Sequence, residues 1–177
     1  MLPRRVPVFD GPGIRVTFRE DLRTAGRRLY SGPRARRMRG GQEVHAATFI
    51  RQRRIVLDRA LLRRRGELGR ILVHELFHFV WVRLSNAQRD GYGAALADEL
   101  EARARGELGW SAQMRKGMLA SRAGRAWREY VCESFCDTAA WLYSGVKRHQ
   151  EFTLAPRFRE RRAAWFEAAF AGRAIRL

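Results

Sequence analysis

Between positions 68 and 84 eleven of seventeen residues are apolar and they are spread nearly all round, from Leu68, Ile71 and Leu72 through Phe77, Phe79 and Val80 to Val82 and Leu84. Side chains spread in this way cover all faces of a helix, so the pattern predicts one that is buried all round. Elsewhere the periods are simpler. Residues 14–18 (Ile-Arg-Val-Thr-Phe) alternate apolar and polar, which predicts a strand with one buried face. Residues 47–50 and 55–57 are β-prone runs separated by a basic turn, and they predict a strand pair or one bent strand. Leu22, Ala25, Leu29 and Tyr30 fall near helical spacing, which predicts a short helix over 20–30 closed by Ser31-Gly32-Pro33. The Arg- and Gly-rich stretch 34–41 follows as a loop. Gly106, Gly109, Gly117 and Gly124 divide 84–125 into a helical excursion with breaks, after which 127–144 predicts a second apolar helix stopped by Gly145. A last helix is expected over 156–171. Residues 1–13 hold three of the five prolines and predict an irregular arm. The fold class expected is α+β in a single domain over 1–177, with a few strands beside the first apolar helix and helices elsewhere.

Composition sharpens this picture in two respects. An apolar content of 46% over 177 residues supports a packed core and argues against disorder. The net charge is +18, and it is carried by arginine, since only Lys116 and Lys147 are lysine. A basic surface that attracts phosphate or acidic partners would produce such a charge; so would a compositional bias that raises Arg, Ala and Gly together. The arginines are scattered through every segment, which gives the bias more weight and leaves nucleic acid or an acidic partner as a second expectation. No apolar run is long enough to predict a membrane span, and no apolar segment follows the basic residues near Met1. Cys132 and Cys136, one helical turn apart, do not suggest a disulfide scaffold. A cytoplasmic protein is expected.

The first apolar helix carries the chemistry. His74 and His78 are four apart, one turn above each other on one helical face, so their imidazoles can converge on one metal ion. Glu75 lies beside them, where its carboxylate can reach a water on that metal without being a ligand, as a general base must. Three buried polar groups each need a strong partner, and a metal ion answers for all three. A catalytic zinc requires a third protein ligand and an open position. Glu99 and Glu101 are matched at i,i+4 by Arg103 and Arg105, which predicts surface pairs. Glu133 has no such partner: its i+4 neighbour is Asp137, a like charge, and Val131, Cys132, Phe135 and Cys136 flank it. It is the carboxylate that most needs a cation. Asp137, one turn on, can accept the free ring N–H of a ligating histidine and fix its tautomer.

The pentad His74-Glu75-x-x-His78 with Glu133-x-x-x-Asp137 on a later helix resembles the gluzincin metallopeptidases. The runs from Ile55 to His78 and from Glu133 to Leu142 are also similar to the compact ImmA/IrrE-type metallopeptidase domains. The resemblance implies a zincin-like fold and zinc-dependent hydrolysis of a protein or peptide substrate. It also implies His74, His78 and Glu133 as ligands, Glu75 as the base and Asp137 as the residue that orients a histidine. The group that would stabilise the oxyanion stays open among Tyr130, Tyr143 and His149. Two other readings of the same residues stand beside this one. Cys132 and Cys136 could join His74 and His78 in a closed, structural tetrahedron. The charge, with its densest run at Arg34–Arg39, could mark a nucleic-acid-binding module with a structural or vestigial metal site.

Overall fold

The computed structural model describes residues 8–26, 28–170, 172 and 174–177. The strands are β1 (Phe9–Asp10), β2 (Arg15–Arg19), β3 (Arg23–Ala25), β4 (Arg28–Tyr30), β5 (Gln42–Glu43), β6 (Ala46–Phe49), β7 (Arg54–Asp58) and β8 (Ile175–Arg176). The helices are α1 (Pro33–Arg36), α2 (Arg65–Arg83), α3 (Asn86–Glu101), α4 (Trp110–Gly117), α5 (Gly124–Tyr143) and α6 (Pro156–Phe170). Helix and small sheets are mixed, with helix predominating.

β7 is the centre of the principal sheet, parallel to β2 on one side and antiparallel to β6 on the other. Its three apolar residues are buried because the two faces of a strand alternate: Ile55 and Leu57 meet Leu61, Ile71 and Phe79, while Val56 faces the other way. α2 is therefore layered between this sheet and a helical half. Its Phe77 and Val80 enter a second cluster with Tyr92, Leu96, Phe135 and Phe166. This explains an apolar helix with no wet stripe, since both of its sides are covered. Aromatic stacking fills the second cluster, with the Phe135 and Phe166 rings 4.9 Å apart at centroid and Tyr92 edge-on to Trp165 at 4.9 Å. α3 begins at a capping box in which the Ser85 hydroxyl accepts from the Gln88 N–H and the Gln88 side chain accepts from the Ser85 N–H.

Besides the helical turn α1, which takes Arg34–Arg36 out of the expected loop over 34–41, three expectations change. Segment 20–30 is a hairpin rather than a helix: β3 and β4 pair antiparallel, and β5 closes on the other side of β3. Asp21 and Gly26 adopt positive φ (54° and 59°), which interrupts any helix, and the Leu22 N–H is held by the Asp58 carboxylate. Arg27 lies outside the described residues, as do Met1–Pro7 of the expected arm and Ala171 at the end of the last helix. The described part of the arm is not wholly irregular, because Phe9–Asp10 pairs in parallel with Ile175–Arg176. Arg53, itself at φ 45°, helps tie the two chain ends together by donating to the carbonyls of Pro12, Gly13 and Leu177.

The third change concerns charge. Glu99 is not on the surface. It is buried and receives Arg162 at 2.7 Å, while Arg103 lies past the end of α3 at φ 55°. Arg162 also donates to Glu107 at 2.7 Å and to the Ser134 hydroxyl at 2.9 Å, and Tyr130 donates to Glu107 at 2.6 Å. Glu101 does remain on the surface, where it pairs with Arg122 rather than Arg105. The long-range partners Arg162 and Arg122 replace those at i+4. Among the described residues, no helix is long and apolar enough to cross a membrane.

Candidate metal centre

α2 and α5 pack against each other, and the centre lies between them. His74 and His78 project from α2 with ring centroids 5.0 Å apart. From α5, Glu133 brings Oε2 to 3.3 Å from His74 Nε2, and Asp137 brings Oδ1 to 2.7 Å from His74 Nδ1. The two nitrogens of one imidazole are thus divided between two carboxylates one turn apart. The Cys132 and Cys136 sulfurs lie 3.6 Å and 3.5 Å from His78 Nδ1. Donor atoms of His74, His78 and Cys136 all fall within 4.8 Å of one another, and this cluster could hold a metal ion.

The charges of these groups are strongly coupled. Burial opposes the protonation of His74, but Asp137 and then Glu133 overcome it and hold its pKa well above the usual imidazole range. Burial opposes His78 as well, yet the Cys132 sulfur and the Glu133 carboxylate raise it to about 9. Burial favours a neutral Glu133 carboxyl; the two histidines outweigh this and bring it down to about 2. The Cys132 thiol is lowered to about 6, first by its hydrogen bond with Cys136, against burial, and then by His78. Anionic donors and imidazoles that take up protons to balance them are the donor set a divalent cation would complete, by displacing those protons.

Asp137 is fixed from a second direction as well. Its Oδ2 accepts the Ala112 N–H at 2.9 Å, at the start of α4, where helix N–H groups favour an anion. The approach is close enough that Gly109 leaves no room for a side chain: a Cβ there would stand 2.1 Å from the Asp137 carboxyl carbon. Gly109 has an extended backbone (φ −173°), so its requirement is space and not conformation. Gly109→Ala is therefore expected to push Asp137 off His74 and to weaken metal affinity about 10- to 100-fold. Competition with a chromophoric chelator measures this, and unchanged affinity would remove Asp137 from the site's construction.

Glu75 faces a cleft of about 600 Å³ whose walls include Gln42–Ala46, His74, Trp110 and Asp137. Its carboxylate accepts the Thr48 hydroxyl at 2.5 Å. Thr48 belongs to β6, which among the described residues is bonded only to β7 and so borders the sheet. Thr48, Gly109, the Ala112 N–H and His45, an exposed imidazole on the cleft wall, all escaped sequence reasoning. The alternation around Thr48 was a usable sign, since the face of β6 opposite Ile55 has to meet α2. Nothing in the sequence near Gly109 signals the approach of Asp137.

The three residues considered for oxyanion stabilisation lie elsewhere. Tyr130 is buried on Glu107, Tyr143 stacks on Phe77 at 5.5 Å, and His149 Nε2 contacts Glu67 at 2.5 Å. Compared with protein-family models, with curated proteins and with solved structures, the chain finds no match.

Proposed function

We propose that this protein is a zinc-dependent peptide hydrolase of gluzincin type, with His74, His78 and Glu133 as ligands and Glu75 as general base. The observation that carries the reading is the division of labour around His74. Asp137 occupies one ring nitrogen, Glu133 stands at the other, and Glu75 opens from the next position into the cleft. Nitrogen and oxygen donors with an adjacent thiol suit zinc. Bound there, zinc would supply Lewis acidity and bring the pKa of a water toward ~7.

The remaining work falls to the protein. Glu75 takes the proton from the attacking water and delivers it to the departing amine, and Thr48 fixes the carboxylate while it does so. The free edge of β6 receives an extended peptide by main-chain hydrogen bonds, which aligns the scissile carbonyl along the cleft. His45 is one of the donors on the cleft wall, with Gln42, Arg70, Trp110 and Ser111, that could serve the developing oxyanion. The test is incubation of the zinc-loaded chain with a library of unstructured peptides, read by mass spectrometry. Cleavage that stops on chelation and returns with zinc is expected. A fully loaded chain that cleaves nothing would overturn the proposal.

A second reading, a closed thiolate site, is favoured by the proximity of Cys136 to both histidines. Metal analysis separates the two. Cys136→Ala is expected to retain equimolar zinc and Glu133→Ala to lose it. Strong thiolate-to-metal absorption after cobalt substitution, with loss of metal from Cys136→Ala, would instead support the closed site.

A further inference from the structure

The sheet face turned away from α2 is unlike the rest of the molecule. Register places Arg15, Arg54 and Phe49 across it in one row and Thr17, Val56 and Ala47 in the next, with Arg19 on β2 beside Asp58 on β7 at the following position. The hairpin and α1 stand beside this face. Together they enclose a pocket of about 550 Å³ walled by Arg19, Arg28, Arg34, Arg54, Tyr30 and Phe49, with Val56 also contributing.

No carboxylate lines this pocket among the described residues. The acidic groups nearby are engaged elsewhere: Asp58 accepts the Leu22 and Ala60 N–H groups, Asp21 and Glu20 hold Arg36, Glu20 also meets Arg59, and Glu43 meets Arg23. Arg19, Arg28 and Arg34 are exposed. Arg54 lies over the Phe49 ring at 4.4 Å, and its Nε is buried with no hydrogen-bond partner among the described residues. Converging cations, a half-buried ring pair and an unsatisfied donor describe a site for an anion that also carries a flat π-face.

We propose that this face binds single-stranded nucleic acid, with phosphates on Arg19, Arg28 and Arg34 and a base against Tyr30 and the Arg54–Phe49 stack. A duplex keeps its base faces hidden and a lipid headgroup layer is flat, so neither reaches the aromatic floor of a concave pocket; an unstacked strand does. The site is independent of the cleft, because Thr48 and Ala46 face α2 on the opposite side of the same sheet. It also differs from the arginine loop singled out in the sequence. Of that run only Arg34 lines the pocket, and Arg36 is bound to Asp21 and Glu20.

The experiment is fluorescence anisotropy of a short labelled oligothymidylate with the full chain, between about 50 and 200 mM salt. Binding is expected to weaken with salt. The Arg28→Ala/Arg34→Ala pair should reduce the magnitude of the log–log slope by ~1.4, at about 0.7 per phosphate contact. Lys147→Ala/Arg148→Ala removes the same charge from an exposed loop outside this face and should leave the slope as it was. Tyr30→Ala should weaken the oligothymidylate about tenfold, since base–aromatic stacking is sequence-tolerant and strong, while leaving binding to heparin unchanged. Thermal melts confirm that each variant folds. Equal losses from both charge pairs would mean diffuse attraction and overturn the proposal. Duplex DNA or phosphatidylserine vesicles that bind as tightly as the single strand, with the same response to Tyr30→Ala, would overturn it as well.

Discussion

Glu75→Gln is expected to lower peptide hydrolysis by about 10²–10⁴-fold, the range that general-base catalysis contributes, while zinc content and melting temperature stay as in the parent. The substitution preserves shape. The glutamine carbonyl can still accept the Thr48 hydroxyl that the carboxylate accepts at 2.5 Å, so the junction of β6 with α2 is retained. What is lost is a group able to take a proton. In the proposed mechanism Glu75 acts on the water and the leaving amine rather than on substrate binding, so the loss should appear in kcat, with KM little changed. Steady-state kinetics on one cleaved peptide, with zinc measured in the same samples, checks both parts. A loss of only a few-fold at full zinc occupancy would assign the base to another residue. A loss of zinc would make Glu75 part of the ligand set.

Most of the helical half could be read from the chain, because packing there obeys the periods that side chains show. α2 and α5 are apolar on enough faces that they had to be buried, and the centre lies where they meet. His74, Glu133 and Asp137 were legible for a related reason: a charged group in apolar surroundings announces an unmet need. The small β elements were not legible. The helical spacing of Leu22, Ala25 and Leu29 is real, yet β5 offers the backbone of β3 a ladder, and the turn at Gly26 breaks the alternative. Local pairing rules failed for Glu99 in the same way. Arg103, four residues on, lies beyond the helix end, and the true partner is sixty-three residues away on α6. Such contacts depend on tertiary approach, which no window of sequence contains.

Arg162→Met is expected to cost about 3–5 kcal/mol, the usual result of removing one member of a buried ion pair. Glu99 and Glu107 are 1% and 0% exposed, and both rely on this guanidinium. Burial would raise the Glu107 carboxyl, but Arg162, with Lys116 and Tyr130, holds it below the usual range. A carboxyl depressed in the folded state stabilises the fold above its unfolded pKa and loses that contribution as pH falls through the folded value. Without Arg162 the balance shifts: Lys116 still faces Glu107 at 3.2 Å, but burial opposes the carboxylate's charge with less to offset it, and protonation relieves the variant. Its deficit in melting temperature should be roughly 6–20 °C near neutral pH for a chain of this size, and should shrink toward about pH 4.5, where carboxyls begin to protonate. A deficit that grows on acidification would contradict the account. The network reaches the candidate metal centre as well, because Arg162 bonds Ser134, and Ser134 and Thr138 directly follow Glu133 and Asp137 on α5. Slackening that face of α5 shifts the two carboxylates together, so the same variant should bind zinc more weakly. Triple replacement of Arg162, Glu99 and Glu107 by Met, Gln and Gln removes the uncompensated charges and should recover part of both losses.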